Sequence, residues 1–368
     1  AADPGEYQLA TVAQQLSGWI KELDTTRPVT ANLVLPSVGH WSGYTDALDI
    51  VGYSYRQAIY DYGHRMYPDK MIFGCENYGQ WHEWKAALDR SFVPGIFLWT
   101  GIDYLGEARE WPAKGSPAGV FDLACFEKPR YHMFRSLWRD EPHVYLATSR
   151  LEDSEYELLE DGSVVHKKRN ERWQPTWHWH EVNEHWNYAE GEAVVVEAYT
   201  NCPQVELFVN GASAGVRRLA DAEDHILKWL VPYQAGTLLA VGQADGEPAR
   251  YELSTAGAPA TVRLAADKAK LDADGYDVAH VTAQVCDAAA NPVKTEEREI
   301  RFEIEGNCRL LGVGNGSNTS VQAYHGDRCL TAQGRCLLIV QSTDQVGTAV
   351  VTASAEGLQS QSVELRIC

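Results

Sequence analysis

The sequence is short of positive charge. Lys and Arg total 32 against 51 Asp and Glu in 368 residues, a net charge of −19, which argues against nucleic acid or an anionic membrane surface as partner. No run of about 18 apolar residues is present to span a bilayer, and residues 1–20 lack the basic and apolar regions of a secretory leader. The compartment stays open, and an exported bacterial parent is compatible with this. No CxxC pair occurs among the eight cysteines (Cys75, Cys125, Cys202, Cys286, Cys308, Cys329, Cys336 and Cys368). That argues against a structural zinc site or a disulfide-dense miniature fold, so the cysteines read as buried thiols. One bridge is conceivable among Cys308, Cys329 and Cys336. No metal and no cofactor are expected. His178, His180 and His185 have no cysteine or carboxylate at matching spacing and read as an aromatic domain interface. Gly312, Gly314 and Gly316 lack the spacing of a phosphate loop and read as a turn. The sequons Asn315-Gly316-Ser317 and Asn318-Thr319-Ser320 carry meaning only in a eukaryotic secretory pathway.

What is present is a change of pattern along the chain. At 45% hydrophobic content a sizeable core is available, and the length suggests two or three domains. Residues 1–142 alternate helical and strand patterns, as βα units with a parallel sheet do. Leu9, Val12, Ala13, Leu16, Trp19, Ile20 and Leu23 fall at helical spacing and predict a helix over Tyr7–Leu23, with Asp3-Pro4 as its start signal. Short strands are predicted at 29–33, 48–55, 71–76 and 95–100, and helices at 56–66, 81–89 and 129–138. A (β/α)8 barrel needs eight strands and about 250 residues, so half a barrel is missing. The chain reads as a piece of a longer protein, cut near the middle of that barrel. From residue 143 onward short alternating strands separated by turns predict two β-sandwiches, over 143–257 and 258–368, divided by the small-residue stretch Ser254–Pro259. Asn210-Gly211 signals a hairpin, because both central positions of such a turn need positive φ. The fold class is therefore multidomain, α/β followed by all-β.

The segment Met71-Ile72-Phe73-Gly74-Cys75-Glu76-Asn77-Tyr78-Gly79 is the most informative in the chain, an apolar run that delivers one carboxylate to its own C-terminal end. Reacting groups of parallel barrels sit where the strands finish, which makes Glu76 the candidate catalytic residue. Tyr53 and Tyr55 alternate onto one face of the preceding strand, positioned to orient that carboxylate. Asn77 and Tyr78 follow it. Trp99 closes the next strand, with Asp103 and Tyr104 in the loop beyond. Carboxylates, phenols and an indole suit a sugar, whose C–H faces stack on aromatic rings while its hydroxyls bond carboxylates and amides. The plain alternatives are a solvated strand-end Glu and tyrosines that merely pack a core. A glycosidase needs a second carboxylate. Asp103 and Glu107 are the nearest candidates in sequence, and neither is convincing.

Five segments in order, Asp24-Thr25-Thr26-Arg27-Pro28-Val29-Thr30, Asp49-Ile50-Val51-Gly52-Tyr53-Ser54-Tyr55, the Glu76 strand, Gly95-Ile96-Phe97-Leu98-Trp99-Thr100-Gly101-Ile102-Asp103-Tyr104, and Lys128-Pro129-Arg130-Tyr131 with Ser136-Leu137-Trp138, together resemble glycoside hydrolase family 2, in its β-galactosidase-like branch. The resemblance implies that residues 1–142 are the C-terminal half of a (β/α)8 barrel, with Glu76 matching the nucleophile at the end of its seventh strand. It implies that the acid/base is a Glu in an Asn-Glu pair before the first helix, and no such pair precedes Tyr7. Trp177-His178-Trp179-His180 and Val205–Gly211 resemble the immunoglobulin-like domain that follows the barrel in that family. Leu271–Gly275 with Leu310–Gly316 resembles its terminal, invasin-like sandwich. The implied parent is a retaining exo-β-glycosidase acting on β-galactosides, with β-glucuronidase or β-mannosidase activity as alternatives and a non-catalytic structural or carbohydrate-binding fragment as the rival class. The implied partners are a carbohydrate substrate and either the missing barrel half or a second copy of the chain.

Overall fold

The computed structural model describes residues 7–160, 162–167 and 177–368. The chain divides into two compact units, Ala1–Gly101 with Asn170–Trp179, and Ile102–Arg169 with His180–Cys368.

The first unit opens on helix α1 (Tyr7–Leu23), with the boundaries its periodicity predicts. The Asp3-Pro4 start signal lies outside the described residues. Strand β1 (Asn32–Leu33) leads into a short helix, α2 (Pro36–Ser42), which the sequence reading did not include and which begins on a proline. Proline suits the first turn because the N–H it lacks would have had no helical partner there. Next come β2 (Val51–Ser54), α3 (Tyr60–Met66), β3 (Ile72–Asn77), α4 (Trp81–Leu88) and β4 (Ile96–Leu98). The four strands form one parallel sheet in the order β1-β2-β3-β4. Its core face packs Leu33, Val51, Tyr53 and Ile72 against Tyr60 and Val93, all nearly or fully buried. On α1, in contrast, Val12, Leu16, Trp19, Ile20 and Leu23 stay exposed, as does Phe97 of β4.

The second unit contains helix α5 (Pro129–Trp138) and two sandwiches. In the first, β5 (Val144–Arg150), β6 (Ala193–Thr200) and a strand at Leu227–Pro232 form a three-stranded sheet. This sheet shares a core with four antiparallel strands at 204–254. Trp186 and Trp229, both about fully buried, are its largest core side chains. In the second, a four-stranded and a five-stranded sheet enclose Val281, Val285, Phe302, Leu338 and Val351. The cysteines are free thiols, mostly buried as expected, with Cys125 and Cys368 exposed. Among the described residues no group of His, Cys, Asp or Glu could hold a metal ion, and no helix is long and apolar enough to cross a membrane.

The hairpin signalled by Asn210-Gly211 joins Gln204–Val209 to Ala212–Arg218, with φ of 50° and 79° at the two turn residues. The Asn210 amide also bridges to the next strand, accepting from Thr237 N at 2.8 Å and donating to Ala235 O at 3.0 Å. Asn210→Ala loses both bonds and forces a left-handed conformation on alanine, so it should destabilise the chain by about 1–2 kcal/mol. Urea denaturation followed by tryptophan fluorescence measures this.

Candidate active site

Glu76 sits on β3 one residue from its end, half-buried, beside the end of β2. The register between these strands shifts after Tyr53, so that Ser54 lies opposite Glu76. The Ser54 hydroxyl approaches the Glu76 Oε2 at 3.5 Å. Tyr55 follows with φ of 53°, outside the strand, and its N–H donates to the Glu76 carbonyl at 2.7 Å. Its ring meets Trp177 edge-on at 5.6 Å, and its phenol lies close enough to the Glu76 carboxylate to feel that charge. Burial pushes this phenol well above its ordinary pKa; the Trp177 contact opposes the shift and the charge of Glu76 adds to it. Tyr55 therefore keeps its proton and can donate it to Glu76 in a hydrogen bond at any working pH. Tyr55, Tyr78 and Trp177 form an aromatic cluster with ring centroids 4.4 to 5.6 Å apart.

The structure separates the two tyrosines that strand alternation placed together. Tyr53 is fully buried on the core face of the sheet, its hydroxyl 2.6 Å from His40 Nε2, which in turn holds Thr45 through Nδ1 at 2.8 Å. Alternation carries two residues to one face only while the strand continues, and the positive φ of Tyr55 ends it. Tyr53 is thus a core residue and does not orient Glu76.

Asn77 also faces the core side. Its side chain is fully buried and donates to Glu83 Oε2 at 2.9 Å and to the Tyr60 hydroxyl at 3.1 Å. A register irregularity between Gly74 and Asn77 in the pairing of β3 with β4 turns Asn77 inward while Glu76 faces away from the core. Its backbone carbonyl accepts from Trp99 N at 3.0 Å, so the residue after Glu76 also anchors Trp99, whose side chain is half-buried. Asn77 supports the strand that carries Glu76 and is too buried to be a direct sugar ligand.

Glu83, on α4, is the group the sequence reading missed. It is fully buried, and burial pushes its carboxyl up to about 7, with the Asn77 hydrogen bond opposing that shift. The only signal in the sequence is a Glu at a helix position that turns inward, and it cannot be told from a solvated one without knowing which face packs.

Asp103, in the second unit, is 5% exposed and its two oxygens are fully engaged. Oδ1 accepts from Gly119 N at 2.7 Å and Lys128 Nζ at 2.9 Å, while Oδ2 accepts from Lys128 at 3.1 Å and Asn318 Nδ2 at 3.0 Å. The sequence expectation of a sugar-hydroxyl ligand therefore gives way to a clamp, which ties the loop after β4 to the terminal sandwich 215 residues away. Glu107 lies at the surface and accepts from the Tyr104 hydroxyl. The His178–His185 segment holds no metal arrangement. Instead, His180 Nε2 pairs with the fully buried Glu197 at 2.8 Å, and that charge raises the imidazole pKa against the opposing effect of burial.

Comparison with known proteins gives a consistent family signal. Residues 262–364 match glycoside hydrolase family 2 C-terminal domain 5, and residues 191–249 match a domain of unknown function, DUF4982. The β-galactosidase BoGH2A of Bacteroides ovatus is 29% identical over 409 residues, covering 97% of this chain and 44% of that protein. A putative β-glucuronidase of Formosa agariphila is 29% identical over 242 residues, covering 64% of this chain and 20% of that protein. Among solved structures, a glycosyl hydrolase family 2 member from Bacteroides cellulosilyticus superimposes with a TM-score of 0.88 at 30% identity, covering 100% of this chain and 48% of the other. A β-glycosidase from Bacteroides vulgatus gives 0.76 at 25%, covering 97% and 49%. The chain thus spans less than half the length of these relatives.

Proposed function

We propose, from the premise that this chain is similar along its whole length to the C-terminal part of glycoside hydrolase family 2 proteins, that its parent is a retaining exo-β-glycosidase acting on β-galactosides, with Glu76 as nucleophile. The observation that carries this reading is the Glu76 carboxylate at the end of a parallel strand, approached by the Ser54 hydroxyl and lying beside the Tyr55, Tyr78 and Trp177 aromatic cluster. Residues 1–142 are read as the second half of a (β/α)8 barrel, and the two sandwiches as immunoglobulin-like.

In this mechanism Glu76 attacks the anomeric carbon as the leaving oxygen takes a proton, giving a covalent glycosyl-enzyme that water then hydrolyses. Ser54 and Tyr55, beside it, hold the carboxylate in line for that attack. Trp99 bears on the bound sugar. The proton donor is a second Glu, supplied by the part of the relatives' length that this chain does not span, about 5–5.5 Å from Glu76. The same barrel half covers the exposed apolar side chains of α1 and Phe97; a second copy of the chain is the alternative occupant.

The test uses the parent protein with a 2-deoxy-2-fluoro-β-galactoside bearing a good leaving group, which stalls at the glycosyl-enzyme. Peptide mapping should find one sugar on Glu76, and a label elsewhere overturns the assignment. Matched glucuronide and mannoside probes decide the sugar. The isolated 368-residue chain should hydrolyse aryl β-galactosides at least about 10²- to 10⁴-fold more slowly than its parent, the usual effect of losing a general acid.

A further inference from the structure

Two thiols in the terminal sandwich are arranged for chemistry that the glycosidase reading does not use. Cys329 lies on the three-residue edge strand Arg328–Leu330, paired with Ile300 in the five-stranded sheet. Cys336 lies on Arg335–Ser342, paired with Ala283 in the opposite, four-stranded sheet. Only Leu330–Arg335 separates them in sequence, a short loop that crosses from one sheet to the other. The loop between them closes tightly, with Ala332 and Arg335 exchanging backbone hydrogen bonds at 2.9 and 3.0 Å, so the two side chains lie as neighbours in the sandwich core, where the Cys329 thiol donates to Leu330 O at 3.6 Å. Both are nearly or fully buried, at 2% and 0% exposure.

A cavity of about 110 Å³ opens beside this pair, with Cys329 in its wall together with Val313, Tyr324, Leu337 and Ile339. A water molecule's share of liquid volume is about 30 Å³, so the cavity has room for a solute as small as hydrogen peroxide. Cys336 is not in the cavity wall. The pair is therefore asymmetric, one thiol reachable by a small oxidant and the other directly behind it.

We propose that Cys329 and Cys336 form an oxidisable dithiol site, in which a hydroperoxide entering the cavity oxidises Cys329 and Cys336 closes the product to a disulfide linking the two sheets. In the first step the Cys329 sulfur attacks the peroxide O–O bond, giving Cys329–SOH and one water (or alcohol). In the second, the Cys336 sulfur attacks the sulfenic sulfur, the S–S bond forms, and the hydroxyl leaves with the thiol proton as water. The hydroperoxide takes up the two electrons that the dithiol loses. The proximity of the thiols also divides the roles, since Cys336 lowers the pKa of Cys329 while Cys329, together with burial, raises that of Cys336. Low-pKa, accessible thiols with a resolving neighbour are the ones that oxidise reversibly. This site is independent of the reading of Glu76.

The test treats the full chain with millimolar hydrogen peroxide, blocks remaining thiols with iodoacetamide in denaturant, and maps peptides. The expected result is a mass loss of about 2 Da located in a peptide linking Cys329 to Cys336, reversed by dithiothreitol, while Cys202, Cys286 and Cys308 stay fully alkylated. With Cys336→Ala, dimedone should trap a sulfenic acid on Cys329. With Cys329→Ala, Cys336 should stay reduced. Wild-type chain whose Cys329 and Cys336 are both still alkylated after the exposed Cys125 and Cys368 have been oxidised overturns the proposal, as does a disulfide with any other pairing. Neither result depends on the variants folding, because both are read on the unmodified sequence.

Discussion

Replacing Glu76 by alanine in the parent protein should cut hydrolysis of an aryl β-galactoside by about 10⁴- to 10⁶-fold, with substrate affinity little changed. The size follows from the role: removing the nucleophile closes the covalent route altogether, and single knock-outs of this kind reach about 10⁶-fold elsewhere. A lost rate alone does not separate a nucleophile from a residue that holds the site's shape, so a second readout is needed. The shortened side chain leaves room for a small anion on the face that the carboxylate occupied. Azide should attack the anomeric carbon there and restore measurable turnover, releasing an α-galactosyl azide of inverted configuration identifiable by NMR. A protein whose activity is lost and which gives no azide product would remove Glu76 from the chemistry. Tyr53→Phe serves as control. Its hydroxyl bonds His40 in the core, so it should alter stability and leave the azide reaction intact.

The second large effect concerns stability and pH. Glu83 is fully buried and its carboxyl is pushed up to about 7 from an ordinary 4.5. Between those values the folded chain holds a proton that the unfolded chain has released, so stability falls as pH rises through this window and is fully lowered above 7. At 1.36 kcal/mol per pKa unit, the loss is roughly 3 kcal/mol. The neighbouring His82 lies 3.7 Å from Glu83 Oε1, and burial lowers its pKa, so it offers little compensating charge. Hydrogen-exchange protection of amides in β3 and α4 should therefore drop by about 100-fold between pH 5 and pH 8. Glu83→Gln, which keeps the shape and removes the titration, should hold the high protection at both. An equally steep drop in Glu83→Gln would assign the pH dependence to another group.

Much of the first unit could be read from the sequence because its signals are local. The α1 boundaries follow from one apolar stripe, and the position of Glu76 follows from a short apolar run that ends in a charge. The site's partners were harder to read. Tyr53 and Tyr55 looked equivalent under strict alternation, yet the strand ends at Ser54 and the positive φ of Tyr55 separates them, Tyr53 into the core and Tyr55 into the aromatic cluster with Tyr78 and Trp177. Ser54 and Trp177 carried no pattern that pointed to Glu76, since their relation to it is tertiary. Asp103 looked like a sugar ligand because an unpaired carboxylate after a barrel strand is the usual sign of one. Its partner Asn318, 215 residues later, could not be found from sequence spacing.

The Asp103–Asn318 bond bears on how this chain can be recombined with its relatives. A chimaera that grafts a relative's last domain onto this chain, without a donor at position 318, leaves Asp103 and Lys128 to share a buried charge with one bond fewer and unfastens the neighbouring loop. The final domain is therefore not an interchangeable appendage, and its exchange between relatives has to carry the 314–324 loop with the residues it grips.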